Sequence, residues 1–459
     1  MTPFDTIVAL ATASGRGALA VIRISGSEVA RIGAELLGAM PAPRIAELRR
    51  FRDHDGSALD AGLVLYFPAP ASFTGEPVLE LQGHGGVMVV HRVMQRLLAL
   101  GCRMARPGEF SERAFLNGKM DLAQAEALAD LIDAGTEAAA RAALRSMQGE
   151  FSARVTVLQS DLTALRVYVE AAIDFPDEEI DFPSNDALQA RLSRVFAAFE
   201  ALTAAARQGA LLRDGLYLVI AGKPNAGKSS LLNRLVGEEV AIVTDRPGTT
   251  RDVLKQHLHL DGLPVHLVDT AGLRAATDVV EQEGVRRARA EMLRADRVLY
   301  VVDASAADDS SSLDEDLAGL PSNIPVTWVM NKIDLLAIQD SGSRNAAARL
   351  DIKAPRATRV FVSARTGAGL DLLRNHLKES AGYRDADSGT LSARRRHLDA
   401  LRRARELLER AAEALRSTRA FELFAEDLRL AQRALSEITG EVSSEDLLGE
   451  IFGSFCIGK

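Results

Sequence analysis

Apolar and polar positions along the 459-residue chain change texture three times. Up to about residue 116, short apolar runs such as 18–24 and 62–67 alternate with Gly and Pro, which predicts strands, turns and a compact α+β domain over 1–117. From Asn117, Leu and Ala recur at three-to-four spacing: Leu158, Leu162, Leu165 and Val169 would line one helix face, and long helices are expected to about Leu212. From Leu216, apolar strands at 216–221, 264–268, 298–302, 326–330 and 360–362 alternate with amphipathic helices, the pattern of a doubly wound parallel sheet. Beyond Gly382 the helical period returns at Leu401, Ala404, Leu408, Ala411 and Leu415.

Each helical half presents an apolar stripe that needs burial, and the other half can supply it. The expected organisation is therefore a helical domain in two halves, 118–213 and 382–459, with an α/β domain at 214–381 inserted between them. Two unrelated bundles in series are the alternative. The length supports about three cores, and 47% hydrophobic residues with only 15 prolines argue against disorder. Fifty-five Lys and Arg against 63 Asp and Glu give a net charge of -8, so no global positive field draws in nucleic acid; such a contact must be local or guided by a partner. Cys102 and Cys456 lack CxxC spacing, which speaks against a disulfide framework or a zinc site and for a reducing cytoplasm. No basic leader and no run near the ~18 apolar residues of a membrane helix is visible, so the expected location is cytoplasmic.

The candidate chemistry lies in the α/β segment. Gly222-Lys223-Pro224-Asn225-Ala226-Gly227-Lys228-Ser229 fits G-x-x-x-x-G-K-[ST] between an apolar strand and a helical pattern, with Ser230 following. Its glycines let backbone amides approach phosphate oxygens, Lys228 neutralises the β and γ phosphates, and the Ser229 hydroxyl suits magnesium. Asp269-Thr270-Ala271-Gly272 ends the next strong strand, where Asp269 can hold a magnesium-bound water and the Gly272 amide can sense the γ-phosphate. Asn331-Lys332-Ile333-Asp334 ends a later strand; the Asp334 carboxylate can accept from guanine N1 and its amino group, a donor pair that adenine lacks. Ser363-Ala364-Arg365 places a backbone amide for guanine O6. In this order the elements resemble the translation-factor-like GTPases.

Leu273 stands where a Ras-like pattern has the glutamine that orients the attacking water. Another polar group must do this, and Glu281 and Asp278 are the candidates. Asp245-Arg246-Pro247-Gly248-Thr249-Thr250-Arg251-Asp252 falls where a threonine completes the magnesium shell, and chemistry alone leaves Thr249 and Thr250 as alternatives.

Outside the α/β segment, Leu81-Gln82-Gly83-His84-Gly85-Gly86, Arg106-Pro107-Gly108-Glu109-Phe110-Ser111-Glu112-Arg113-Ala114-Phe115, Asp121-Leu122-Ala123-Gln124-Ala125-Glu126-Ala127 and Phe455-Cys456-Ile457-Gly458-Lys459 resemble the MnmE (TrmE) family of tRNA modification GTPases over essentially the full length. Read alone, 83–86 is a turn, Ser111 would cap a helix entered at Glu112, and Asp121 would cap the next. The resemblance implies an α/β P-loop GTPase domain inserted into an α-helical domain and preceded by an α+β tetrahydrofolate-binding N-terminal domain. It further implies a homodimer joined through the N-terminal domains and an FAD- and NADH-dependent partner, MnmG (GidA). Together they would put a carboxymethylaminomethyl or aminomethyl group on carbon 5 of the wobble uridine of certain tRNAs. The one-carbon unit would come from 5-formyl- or 5,10-methylene-tetrahydrofolate, with glycine or ammonium supplying nitrogen.

By the same resemblance, potassium would be bound by Asn225, Thr244, Arg246 and Thr249 within a nucleotide loop spanning Thr244 to Thr250 that includes Asp245, Pro247 and Gly248. Magnesium would take Ser229 and Thr250, and Glu281 would orient water. Catalysis of GTP hydrolysis would rest on Glu281, Lys228 and Asn225, with potassium supplying the charge of an arginine finger. Folate would meet Arg23, Glu80, Lys119 and Lys459. Cys456 reads either as a small buried hydrophobe or as a thiol near the folate, in a supporting role. The acidic stretch from Asp174 to Phe182 reads as a solvated loop, and Arg394, Arg395, Arg396, Arg402, Arg403 and Arg405 as a solvated helix face that tRNA phosphates could also meet. A ribosome-assembly GTPase binding rRNA is the competing function. It is disfavoured by the lack of a KH-like GXXG loop after the α/β segment.

Overall fold

A computed structural model describes residues 5–174, 185–237, 255–269, 295–306, 324–338, 349–351, 358–384, 389–418 and 421–458. These fall into two compact units, one of residues 1–129, 147–195 and 400–459, the other of 130–146 and 196–399.

In the first unit, β1 (Ile7–Leu10), β2 (Leu19–Ser25), β3 (Glu47–Arg52), β4 (Ala58–Phe67), β5 (Val78–His84) and β6 (Arg103–Met104) form a sheet in the order β3-β4-β5-β2-β1-β6, antiparallel except where β6 joins β1. Period-two patterning places its core: Ile22, Ile24, Leu79 and Leu81 point inward against Ile32 and Leu36 of α1 (Val29–Leu37) and Val93 and Leu97 of α2 (Val87–Ala99). Val21, Arg23, Glu80, Gln82 and His84 alternate onto the other face. The pattern reading does not find β3, because in Glu47-Leu48-Arg49-Arg50-Phe51-Arg52 only Phe51 is buried; it is an edge strand carrying charge.

Helix α3 (Glu109–Leu116) begins at Gly108, which adopts a left-handed φ of 66°, so the expected start at Glu112 is too late by one turn. Ser111 is therefore not a cap: it lies inside the helix, fully buried, and its hydroxyl has no partner among the described residues. Asp121 does cap α4 (Leu122–Asp133), accepting from the Gln124 amide at 2.8 Å while Gln124 Oε1 accepts from the Asp121 amide at 2.9 Å. The sequence 83–86 is only partly a turn, since β5 runs on to His84.

The helical stripes behave as expected. Leu158, Leu162, Leu165 and Val169 of α6 (Glu150–Asp174) are buried, as are Leu401, Ala404, Leu408, Ala411 and Leu415 of α10 (Arg395–Thr418). Helix α6 packs along α11 (Phe421–Thr439), with Gln159 donating to Ser436 and Arg166 to Gln432 across the seam. Helix α12 (Glu445–Gly453) lays Phe452 between Phe115 and Phe455.

The second unit holds α5 (Glu137–Met147) for most of its length and the greater part of α7 (Asn185–Asp214). Its sheet runs β12-β13-β11-β10-β7-β9-β8, built from β7 (Leu216–Gly222), β8 (Lys255–Leu260), β9 (Leu263–Asp269), β10 (Arg297–Asp303), β11 (Val326–Asn331), β12 (Leu350–Asp351) and β13 (Thr358–Phe361). The five central strands are parallel, and only the edge strands β8 and β12 run antiparallel. Both faces of β7 are buried: Leu218 and Ile220 pack with α8 (Lys228–Gly237) and α9 (Leu370–Ser380), while Val219 and Ala221 pack with Val268, Tyr300 and Trp328.

Candidate functional site

In an open parallel sheet, ligands bind beyond the carboxyl ends of the strands. There the chain leaves β7 at Gly222, turns through 223–227 and enters α8 at Lys228. The helix N-terminus thus points its unpaired amides at the space over the loop, an anion site before any side chain is counted. Asn225 holds a left-handed φ of 62°, which asparagine tolerates, and its side chain is exposed. Gly227 has φ 92°, and a Cβ there would lie 2.3 Å from Asn331 Nδ2. Only glycine lets the two loops approach so closely.

Asn331, 1% exposed, is the strut of the site. Its Nδ2 donates to Ala226 O at 3.0 Å, and its Oδ1 accepts from the Ala364 amide at 3.0 Å. One amide thereby ties the phosphate loop, the end of β11 and the 363–365 loop together. Asp334 accepts from Ser363 Oγ at 2.7 Å, and Ser363 Oγ accepts from the Thr366 amide at 3.1 Å, which holds the carboxylate against the 363–366 loop. The Lys332 ammonium lies 2.6 Å from Asp303 at the end of β10. Burial alone would push the Asp303 carboxyl up, but Lys332 and the hydroxyl and amide of Ser305 hold it below its usual value. Sequence reasoning missed Asp303, since nothing local marks it. Lys228 Nζ donates to Gly222 O and Lys223 O, both at 2.9 Å, and so spans the loop it serves. Ser229 and Ser230 are exposed in the first turn of α8, and Ile333 and Ala364 are buried behind the loops. Arg365 is exposed.

Asp269 ends β9 in register with Ile220, so its backbone stands beside the phosphate loop; its side chain lies outside the described residues. Thr244, Asp245, Arg246, Pro247, Gly248, Thr249, Thr250, Thr270, Ala271, Gly272, Leu273, Asp278, Glu281 and Lys459 also lie outside them.

In the first unit, Arg23 Nε donates to Glu80 Oε1 at 2.8 Å, and its guanidinium lies 5.5 and 5.8 Å from the ring centres of Phe73 and Phe110. Lys119 Nζ donates to Pro70 O at 3.1 Å, so the segment 70–76 touches both cations. The carboxyl-terminal segment comes to the same domain, where the Gly108 amide donates to Cys456 O at 3.4 Å. Cys456 is exposed, which overturns its reading as a buried hydrophobe; Cys102 is the buried cysteine, and burial pushes its thiol up to about 12. The same unit holds an ionic cluster in which buried Arg113 reaches buried Glu109 and Glu76 and the exposed Asp5, and the exposed Arg103 reaches Glu109 at 2.6 Å.

The arginine-rich helix face is largely neutralised. Arg402 pairs with Glu406, Arg403 with Glu437, Arg405 with Glu409, and Arg394 with Asp130, so the reading as a solvated face is the better supported one.

A largely parallel sheet whose glycine-rich loop opens a helix, with the loops of Asn331 and Asp334 tied beside it, marks a P-loop GTPase domain within the second unit. Two family models match the chain: "GTP-binding protein TrmE N-terminus" over residues 6–119 and "MnmE helical domain" over residues 122–456. The chain belongs to the MnmE/TrmE family, with the P-loop GTPase domain inserted into its helical domain. Among solved structures it is similar to Era of Aquifex aeolicus bound to GDP and aluminium fluoride (30% identity, 35% of this chain and 56% of that one, TM-score 0.26). It is also similar to Era with MgGDPNP and a piece of 16S ribosomal RNA (31%, 36% and 56%, TM-score 0.27). A third is the G domain of the T. maritima FeoB iron transporter (26%, 36% and 98%, TM-score 0.24). The chain thus spans 56% of the length of the two Era chains.

Proposed function

We propose that this protein is a potassium-activated GTP hydrolase that works with an FAD- and NADH-dependent MnmG-type partner. Together they add a carboxymethylaminomethyl or aminomethyl group to carbon 5 of the wobble uridine of certain tRNAs. The observation that carries the nucleotide half of this reading is the Asn331 strut, which brings a phosphate loop and a guanine-specific carboxylate to one place. Family membership carries the tRNA half.

In hydrolysis, the α8 amides and Lys228 would hold the phosphates, and the Ser229 hydroxyl, exposed at the helix start, fits a magnesium ligand, with Thr250 as its second. The exposed Asn225 side chain suits a monovalent cation beside the phosphates, with Thr244, Arg246 and Thr249 completing the set. Potassium there would supply positive charge where negative charge develops. Glu281 would orient water in place of the glutamine that Leu273 replaces. For a tetrahydrofolate derivative, Arg23, Lys119 and Lys459 offer cations to the tail carboxylates, and Glu80 an acceptor for the pterin edge. Homodimerisation is supported by the open face of the N-terminal sheet, where Leu48 opposes Leu63 and Leu19 opposes His84 with all three leucines exposed.

The deciding experiment is mass-spectrometric nucleoside analysis of tRNA from cells lacking this protein, complemented with wild type or Lys228→Ala. Loss of the modified uridine restored only by wild type is expected. An unchanged profile would reject the tRNA reading and favour ribosome assembly.

A further inference from the structure

Beside the phosphate loop lies an ion pair that no step of GTP hydrolysis requires. Lys332 takes a left-handed φ of 66°, a conformation that lysine rarely adopts, so its surroundings must hold it there. The chain is gripped on either side of it. Asn331 O accepts from the Ala304 amide at 2.8 Å, the Asn331 side chain is tied to Ala226 and Ala364, and the Ile333 amide donates to Val362 O at 3.3 Å. From that turn the lysine side chain runs over the end of β10. Its Cε lies 4.0 Å from where a Cβ on Gly227 would stand, and its Nζ donates to Asp303 Oδ2 at 2.6 Å. Asp303 is the sole partner of this ammonium among the described residues. The lysine stem is thereby laid beside the phosphate loop.

Asp303 is itself held ready for this. Its Oδ1 accepts from the Ser305 amide at 3.0 Å and from the Ser305 hydroxyl at 2.6 Å, which leaves Oδ2 for the lysine. Both side chains are half-buried, 31% exposed for Lys332 and 25% for Asp303, so solvent screens the pair less than it would on an open surface. A free lysine side chain samples many rotamers, and these are lost when a ligand packs against its stem. An anchored lysine has lost them before the ligand arrives.

We propose that Asp303 is a positioning residue for guanine-nucleotide binding: by holding the Lys332 ammonium it fixes the lysine stem as an apolar wall for the purine ring, between the phosphate loop and Asp334. This rests on the reading of the site as one for GTP. Asp303 touches no nucleotide and acts only through Lys332. The wall serves GDP and GTP alike, so the anchor contributes affinity and leaves the chemical step unchanged.

The test is titration of GDP into the nucleotide-free full-length protein for wild type, Asp303→Asn, Lys332→Met and the double variant, alongside steady-state GTP hydrolysis. Asparagine keeps an acceptor for Ser305 and drops the charge; methionine keeps an apolar stem and drops the ammonium. Asp303→Asn should melt like wild type, bind GDP about fivefold more weakly and raise KM for GTP by the same factor at an unchanged kcat. Adding it to Lys332→Met should cost nothing further, because the anchor then has nothing to hold; a merely structural role would add its loss in both backgrounds. Unchanged or tighter GDP binding by Asp303→Asn would overturn the inference, as would an equal further loss in the Lys332→Met background or a fall in kcat. If Asp303→Asn does not fold, Lys332→Met carries the test, and an unchanged GDP affinity there overturns the inference. A wild type that binds no GDP would instead overturn the reading of the site as one for guanine nucleotides.

Discussion

Asn331 occupies a position where one side chain serves two loops, and its removal should be felt in both. Asn331→Ala leaves Ala226 O and the Ala364 amide without their partner. An unpaired buried polar group costs about 2 kcal/mol, so GDP affinity should fall roughly thirtyfold. Trp328, three positions before Asn331 on β11 and buried against Tyr300 of β10, offers the fluorescence signal for that titration. Glu109 makes a second prediction at this scale. Burial alone would raise its carboxyl, yet Arg103, the Arg106 amide and Arg113 lower it from its usual 4.5 to about 2. A depressed carboxylate contributes stability above its unfolded value and loses it as pH falls through the folded one. The melting temperature of the wild type should therefore drop between about pH 4.5 and pH 2 more steeply than that of Glu109→Gln. Parallel pH-melting profiles would remove this role. The place of Asn331 in a candidate guanine motif was legible in the sequence, but its bridging of two loops was not, because its partners lie 105 and 33 residues away in sequence.

At the scale of elements, periodicity predicted what packing delivered. Leu162 sits fully buried on α6 at the centre of the stripe read from the sequence, on the helix that packs along α11. Leu162→Ala should cost roughly 2–5 kcal/mol through lost transfer energy and a residual cavity, measured by denaturant unfolding of the full chain. Its GTP turnover should stay near wild type, since the nucleotide loops belong to the other unit. Elements held by tertiary context escaped the same reading. Strand β3 buries one residue in six and is held by pairing with β4, and α3 starts a turn early because Gly108 takes a left-handed conformation.

For the whole molecule, the proposed cation site makes hydrolysis depend on the identity of a dissolved ion. Turnover in sodium at matched ionic strength should be slower than in potassium by at least tenfold, and equal rates would remove the potassium ligands from the account. Glu281→Ala should lower turnover by about a hundredfold while GTP affinity holds, if that carboxylate orients water. Weakened binding would instead assign Glu281 a structural role. Both measurements concern the intact chain, in which the GTPase domain lies within the helical domain.

By itself the sequence determined the order of the domains, the helical stripes, the parallel sheet and the phosphate and guanine motifs. These depend on local spacing, which a linear string records directly. Tertiary structure alone decided that Asn331 would bridge two loops, that Asp303 would meet Lys332, that Arg23 would lie by Phe73 and Phe110, and that Asp60 would be buried beneath an exposed His84. Those pairings join residues far apart in the chain, and their energies depend on distance and burial, quantities that exist only once the chain has folded.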